Sequence, residues 1–161
     1  MTKPWMIALS FVSLGIAAAA TPAEEINQLL RGELSAVETY QRALEKLGDD
    51  PGAKTLEGAL KNHQDAVVKL TEEVKKLKAE PSTDSGAWGT LTATVVQSAK
   101  LLGDKAALSA LKQGEEHGVK EYQEALQERS VPKGVKKLIR EKLLKRQQEH
   151  VNQIAMMIEK M

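Results

Sequence analysis

The feature that most constrains this chain is a segment of thirteen residues that occurs twice. Residues 32–44 and 114–126 share Gly, Glu, Val, Tyr, Gln, Ala and Leu at matching positions, 82 residues apart. With about 3.6 residues per turn, the Glu, Val, Tyr and final Leu of each copy fall on one face of a helix. Each copy therefore places a carboxylate, Glu33 or Glu115, in an apolar stripe, where its burial is costly unless a partner satisfies it.

Composition indicates one all-α domain and excludes several classes of function. The 161 residues are 42% hydrophobic and only 3% aromatic, and helix-forming residues dominate without strand-like alternation. Lys and Arg number 23 against 22 Asp and Glu, so the charge balance does not favour nucleic acid as a partner. The chain has no cysteine, which excludes disulfides, lipid attachment to a cysteine and thiolate chemistry.

Residues 1–20 have the layout of a secretory signal peptide. Lys3 precedes an uncharged apolar stretch, residues 5–20, that ends in four alanines. We expect cleavage after Ala20, export to the periplasm or the medium, and a mature domain, residues 21–161, with no membrane contact. Thr21 and Glu24 then form a helix N-cap at the new terminus. The alternative is an uncleaved anchor or a packed helix, although the apolar stretch is shorter than the roughly 20 residues that span a membrane.

Four long amphipathic helices can be read from the apolar periodicity and the breakers between them. A further short helix is predicted between the second and third, and at about fifteen residues it would be about 22 Å long, enough to return the chain along the bundle. Two helical hairpins joined by such a crossover predict a ferritin-like four-helix bundle with one hairpin duplicated. The predicted helices run from about Pro22 to Leu47, from the turn at residues 48–52 to about Ala79, from about Trp88 to Leu102, from Asp104 to about Arg129, and onward from Pro132.

Each hairpin carries one inward Glu and one inward His. Glu33 pairs with His63 in the first hairpin, and Glu115 pairs with His150 in the second. His117 lies roughly 200° around its helix from Glu115, so it should face solvent. Because carboxylates and imidazoles together are ligands of Fe, Mn and Zn, these four inward residues are the predicted metal site.

The pattern departs from a full di-iron site. That site needs Glu-x-x-His on two helices, but Leu60 and Gln147 stand three residues before the two histidines, so one ion is expected rather than two. Glu116 and Glu149 are neighbouring carboxylates whose angular positions favour water.

A purely structural polar layer is the alternative to a metal site. Buried Glu–His hydrogen bonds can satisfy both groups and fix helix register without a metal. The hydroxyls of Tyr40 and Tyr122 could cap the carboxylates of that layer, or the two tyrosines could act as redox-active neighbours of a metal. The sequence leaves these alternatives open.

Several motifs are similar to those of a known family. They are Asp84-Ser85-Gly86 at the start of the crossover, Gly114-Glu115-Glu116 followed by Tyr122, and His150 with Ile154. On these motifs, residues 24–157 resemble a bacterial ferritin-like family of unknown function, close to rubrerythrin and the YciF-like stress proteins. The resemblance implies a crossed four-helix bundle and ancestral carboxylate-bridged metal chemistry. Where such proteins often carry a His-Arg-Gly-Trp-like stretch, this chain has Ala93-Thr94-Val95-Val96.

The sequence thus predicts an exported ferritin-like bundle with a structural or stress-associated role, no catalytic residue and a degenerate carboxylate and histidine core site. The alternative is a bundle that binds one Fe, Mn or Zn ion and has ferroxidase or peroxide-scavenging activity. The candidate partners are a second copy of the chain and a metal ion. A helical adaptor that docks partner helices would need a large exposed apolar stripe, and the outer helix faces are too rich in Lys, Glu and Gln to offer one. No nucleophile–base pair, phosphate loop or His-Glu-x-x-His motif favours a hydrolase or a nucleotide-dependent enzyme.

Overall fold

The computed structural model describes residues 20–47, 52–89 and 104–161, which form a bundle of four helices. Across these residues there are helices and loops but no strands, which confirms the predicted all-α four-helix bundle. The helices are α1 (Pro22–Leu47), α2 (Ala53–Lys76), α3 (Asp104–Gln127) and α4, and a 3₁₀ turn at Gly86–Trp88 follows α2. The consecutive segments of α4 are α-helical Lys133–Leu138, π-helical Ile139–Leu143 and α-helical Leu144–Glu159.

The helices pack as two hairpins, α1 on α2 and α3 on α4, and the hairpins meet mainly through α1 and α3. Among the described helices, none is both long enough and apolar enough to cross a membrane. The predicted signal peptide up to residue 19, residues 48–51 of the first turn and residues 90–103 of the predicted crossover helix, with the stretch 93–96, lie outside the described residues.

Helix ends follow local capping chemistry. The Thr21 hydroxyl accepts a hydrogen bond from the Glu24 amide at 3.2 Å, which is the predicted N-cap of α1. α2 ends at Lys76, before the predicted Ala79, because Lys78 takes the left-handed conformation (φ 56°) and the Ala79 amide bonds back to the Val74 carbonyl. α3 likewise ends two residues earlier than predicted, at Gln127.

The π-helical segment of α4 keeps one face of that helix buried over a long distance. Val135, Ile139, Leu143 and Gln147 recur every four residues, a spacing that drifts around an ordinary α-helix by about 40° at each step. A π turn holds more residues per turn and so offsets part of this drift. All four side chains are consequently buried.

The apolar core is divided into two clusters with a polar layer between them. Leu30, Leu70 and Leu143 belong to one cluster, whereas Leu56 and Ile154 belong to the other. Along every helix the buried Glu or His lies between a residue of one cluster and a residue of the other. The four polar residues predicted from the sequence, Glu33, His63, Glu115 and His150, therefore meet in the middle of the bundle, and each is at most 5% exposed.

A matched pair of substitutions in α2 tests this core. Leu70 is fully buried and Val68, two residues away, is 56% exposed. Leu70→Ala should lower the free energy of unfolding by about 2–5 kcal/mol through lost burial and a residual cavity. Val68→Ala should change it by less than about 0.5 kcal/mol. Urea unfolding followed by circular dichroism measures both, and equal effects would contradict this assignment of the core.

Candidate functional site

His63 is the centre of the buried polar layer. Its Nδ1 lies 2.7 Å from Oε2 of Glu33, and its Nε2 lies 3.0 Å from Oε1 of Glu115. The first contact is the pair expected within hairpin α1–α2. The second joins α2 to α3, so one imidazole ring links the two hairpins.

His150 binds the second carboxylate from α4. Its Nδ1 lies 3.3 Å from Oε2 of Glu115, which is the pair expected within the second hairpin. Its Nε2 lies 3.1 Å from Nδ2 of Asn62, a partly buried residue of α2 that the sequence analysis did not single out. Asn62 precedes His63 and so lies at the edge of α2 that turns towards α4.

The two tyrosines of the repeat bind each other's carboxylates. Tyr40 donates its hydroxyl hydrogen bond to Glu115, and Tyr122 donates to Glu33. Within one copy the Tyr follows the Glu by about two helical turns, or roughly 10 Å, and cannot reach it. The exchanged pairs run in opposite directions along the two helices, so α1 and α3 are antiparallel and the two copies are related by an approximate two-fold axis.

The polar layer is fully hydrogen-bonded. Glu33 receives one bond at each oxygen, from Tyr122 and His63, while Glu115 receives bonds from Tyr40, His63 and His150. Among the residues that the structure describes, no fully buried side-chain nitrogen or oxygen lacks a partner. The cost of burying these carboxylates is therefore offset by hydrogen bonds and charge.

Charge in the layer is set by His63. Burial lowers the basicity of its ring, but the charges of Glu33 and Glu115 outweigh burial and raise its pKa to about 10. Burial likewise opposes ionisation of Glu115, yet the charge of His63 and the hydrogen bond from His150 lower the pKa of this carboxyl to about 2. Both nitrogens of His63 face carboxylate oxygens, which fits an imidazolium that donates two N–H bonds.

The tyrosine hydroxyls of the layer stay protonated. Burial, followed by the charge of the neighbouring carboxylate, raises the pKa of Tyr40 and of Tyr122 well above 10. Each hydroxyl can therefore keep donating to the carboxylate of the other repeat.

Three of the four predicted metal-site residues converge on one point. One ligand atom from each of His63, Glu115 and His150 lies within 4.8 Å of the other two. Glu33 lies at the opposite nitrogen of His63, and Asn62 contacts the opposite nitrogen of His150. Two imidazoles and a carboxylate suit Zn, Fe or Mn, and a hydrogen-bonded outer nitrogen is usual for a ligating histidine. A bound ion would have to replace the protons on Nε2 of His63 and on Nδ1 of His150, and the Asn62 amide would then have to turn its oxygen towards Nε2 of His150.

The neighbouring polar residues behave as the helix geometry predicts. Glu116, His117 and Glu149 are exposed. Gln147, which occupies the position of a di-iron carboxylate, is buried against Gly118.

Glu121 is a buried carboxylate that the sequence analysis missed. It is 8% exposed, and Gln28 of α1 donates to it at 3.4 Å. Burial raises its pKa to about 7, and the charges of Glu124 and Glu33 act in the same direction, whereas the bond from Gln28 opposes the shift. The signal was its position one residue before Tyr122, where the first copy of the repeat has Thr39.

A family comparison covers the first three helices. Residues 21–128 match the family described as "Domain of unknown function (DUF2383)". The chain belongs to this family. No curated protein and no solved structure matches the chain. The segment matched to DUF2383 contains Glu33, His63 and Glu115, whereas His150 lies beyond it.

Replacement of Glu121 tests the effect of its buried charge. A carboxyl whose pKa is about 7 in the folded chain and near 4.5 when unfolded stabilises the fold below pH 4.5, and this contribution is lost as the pH rises through 7. Glu121→Gln keeps the acceptor for Gln28 and cannot ionise. Relative to the unchanged chain, it should gain roughly 1–3 kcal/mol between pH 4.5 and 8. Denaturant unfolding across this range measures the gain, and Glu128→Gln, at an exposed position just after the end of α3, should show none.

Proposed function

We propose that this protein is an exported ferritin-like helical bundle with a structural or stress-associated role, in which the polar layer joins the two hairpins and carries out no catalysis. The observation that carries the proposal is His63, which contacts one carboxylate from each hairpin within a layer where every carboxylate oxygen is hydrogen-bonded. The antiparallel α1 and α3 favour the ferritin-like arrangement. Export rests on the sequence pattern of residues 1–20.

A layer of this kind can select one alignment of the hairpins. Sliding one hairpin by a turn would move the carboxylates about 5 Å past their donors and leave charges buried without partners. Breaking a buried charged pair costs about 3–5 kcal/mol, more than a slipped apolar contact would. The proposed role of the layer is therefore to make one packing of the duplicated hairpins far more stable than its alternatives.

Metal binding is the second candidate function, and the convergence of His63, Glu115 and His150 favours it. These residues would hold one Zn, Fe or Mn ion, with Glu33 and Asn62 orienting the two imidazoles. A redox-active ion there would supply electron transfer of the ferroxidase or peroxide-scavenging kind. Leu60 and Gln147 take the positions of the carboxylates that a second ion needs, so the stoichiometry should be one per chain.

Glu115→Gln separates the two candidates, with Glu116→Gln as the matched control. If the layer is structural, Glu115→Gln should lower the free energy of unfolding by about 3–5 kcal/mol, equally with chelator and with added Zn²⁺, Mn²⁺ or Fe²⁺. Glu116 is exposed and paired with Lys112, so its substitution should cost less than about 1 kcal/mol in either condition. Thermal and urea unfolding measure both variants.

Metal-dependent stability would favour the second candidate instead. In that case the unchanged protein would bind close to one ion per chain and unfold at a higher temperature with metal than with chelator. That difference would disappear in Glu115→Gln and persist in Glu116→Gln. Elemental analysis of protein from metal-replete cells, together with the melting curves, would then contradict a purely structural layer.

A further inference from the structure

A narrow cavity opens where α2 and α4 face each other, and we call it the seam cavity. Its volume is about 10 Å³, which is room for about one water molecule. His63 and His150 line it, together with Ala66 of α2 and Leu143 of α4. The seam cavity therefore leads from the surface of the bundle to the two imidazoles of the candidate metal site.

The cavity between α1 and α3 gives no comparable access to the imidazoles. It is larger, about 60 Å³, and its wall includes Glu33 and Glu115. Neither His63 nor His150 lines it. An ion that enters from that side meets carboxylates whose oxygens already accept hydrogen bonds from the two tyrosines. The imidazole nitrogens are thus expected to be reached from the seam cavity.

Arg146 lies at the mouth of the seam cavity. Of the titratable residues that the structure describes in the wall, Arg146 alone reaches solvent, with 32% of its side chain exposed. The others are at most 5% exposed, and they are Glu33, His63, Tyr122 and His150. Both the bulk and the positive charge of the guanidinium therefore oppose the entry of a metal ion.

Asp65 of α2 holds this arginine across the seam. Its Oδ2 accepts a hydrogen bond from Nη1 of Arg146 at 2.6 Å and lies 2.7 Å from Nζ of Lys142, and both partners belong to α4. Nζ of Lys69 lies 3.5 Å from Oδ1 of the same carboxylate. The pairing with Asp65 keeps the guanidinium turned towards α2 instead of leaving it free to extend into solvent.

Asn62 borders the mouth from α2. It lines the seam cavity and also a wide surface groove of about 310 Å³ between the start of α2 and the end of α4. Its Nδ2 lies 3.1 Å from Nε2 of His150. The mouth is thus bordered by two partly exposed side chains, Asn62 and Arg146, which can change rotamer without a movement of either helix.

We propose that Arg146, held by Asp65, is a gate that limits how fast water and a divalent metal ion reach His63 and His150. The gating of metal uptake rests on metal binding, the second candidate function. The gating of water does not, because the imidazoles are present whether or not an ion binds. The two parts of the proposal can therefore be tested separately.

Exchange of ring protons tests the gate without a metal. In ¹⁵N-labelled protein at neutral pH, Arg146→Ala should speed the exchange of the His63 ring N–H protons with water at least tenfold. The rate is taken relative to that of the Leu70 amide, which reports unfolding of the core. Arg146→Lys keeps the charge and most of the length of the side chain, so the exchange should stay slow.

Lys142→Ala is the matched control. Lys142 contacts the same oxygen of Asp65 as Arg146 does, but it does not line the seam cavity. If the ion pairs only stabilise the fold, Lys142→Ala and Arg146→Ala should act alike. If Arg146 is the gate, ring exchange in Lys142→Ala should stay within about twofold of the unchanged chain.

Uptake of Co²⁺ tests whether the gate also controls a metal ion. In stopped-flow absorption, Arg146→Ala should bind Co²⁺ at least tenfold faster than the unchanged chain and Lys142→Ala. Faster ring exchange in Arg146→Ala without any Co²⁺ binding would support the gate and contradict the metal-binding function. Ring exchange that is unchanged in Arg146→Ala, or accelerated equally in Lys142→Ala, would overturn the gate whether or not Co²⁺ binds.

Discussion

The structure depends on neutralising two carboxylates that a duplicated sequence buries at the centre of a helical bundle. Glu33 and Glu115 occupy equivalent places in the two copies and face each other across the approximate axis. A single imidazolium, His63, lies between them with one nitrogen on each. The positive charge of His63 offsets the cost of burying both carboxylates, and its two hydrogen bonds link one hairpin to the other.

Duplication explains both the symmetry and the asymmetry of the bundle centre. The tyrosines obey the symmetry, since each copy supplies the hydroxyl that caps the carboxylate of the other. The histidines break the symmetry, because His63 contacts both carboxylates while His150 contacts only Glu115. The second ring nitrogen of His150 contacts Asn62 instead of a carboxylate. Among the residues that the structure describes, three ligand atoms that a metal ion could share therefore gather on the side of the layer where both histidines meet Glu115.

Much of the fold could be predicted because the spacing of apolar residues marks the helices and because helix-breaking residues mark the turns between them. The bounds of α1 and the inward placement of Glu33, His63, Glu115 and His150 follow from helical geometry alone. The end of α2 could not be predicted, because it depends on the left-handed conformation of a single lysine, Lys78.

Contacts between the hairpins were harder to predict than contacts within them. Counting residues from a turn aligns the two helices of one hairpin, and this gave both Glu–His pairs. The bridge from His63 to Glu115, the exchange of the tyrosines and the burial of Glu121 depend on how one hairpin is offset against the other. That offset is set by packing between the hairpins rather than by any local signal, so the sequence identified the residues of the polar layer but not which of them contact one another.

The protonation state of His63 is the most direct test of this account. In ¹⁵N-labelled protein, NMR through the ring protons should find both nitrogens of His63 protonated at pH 8, with a pKa far above the ordinary value near 6.5 and close to 10. A ring that is neutral at pH 8, with a pKa at or below 6.5, would contradict the shared imidazolium on which the layer depends.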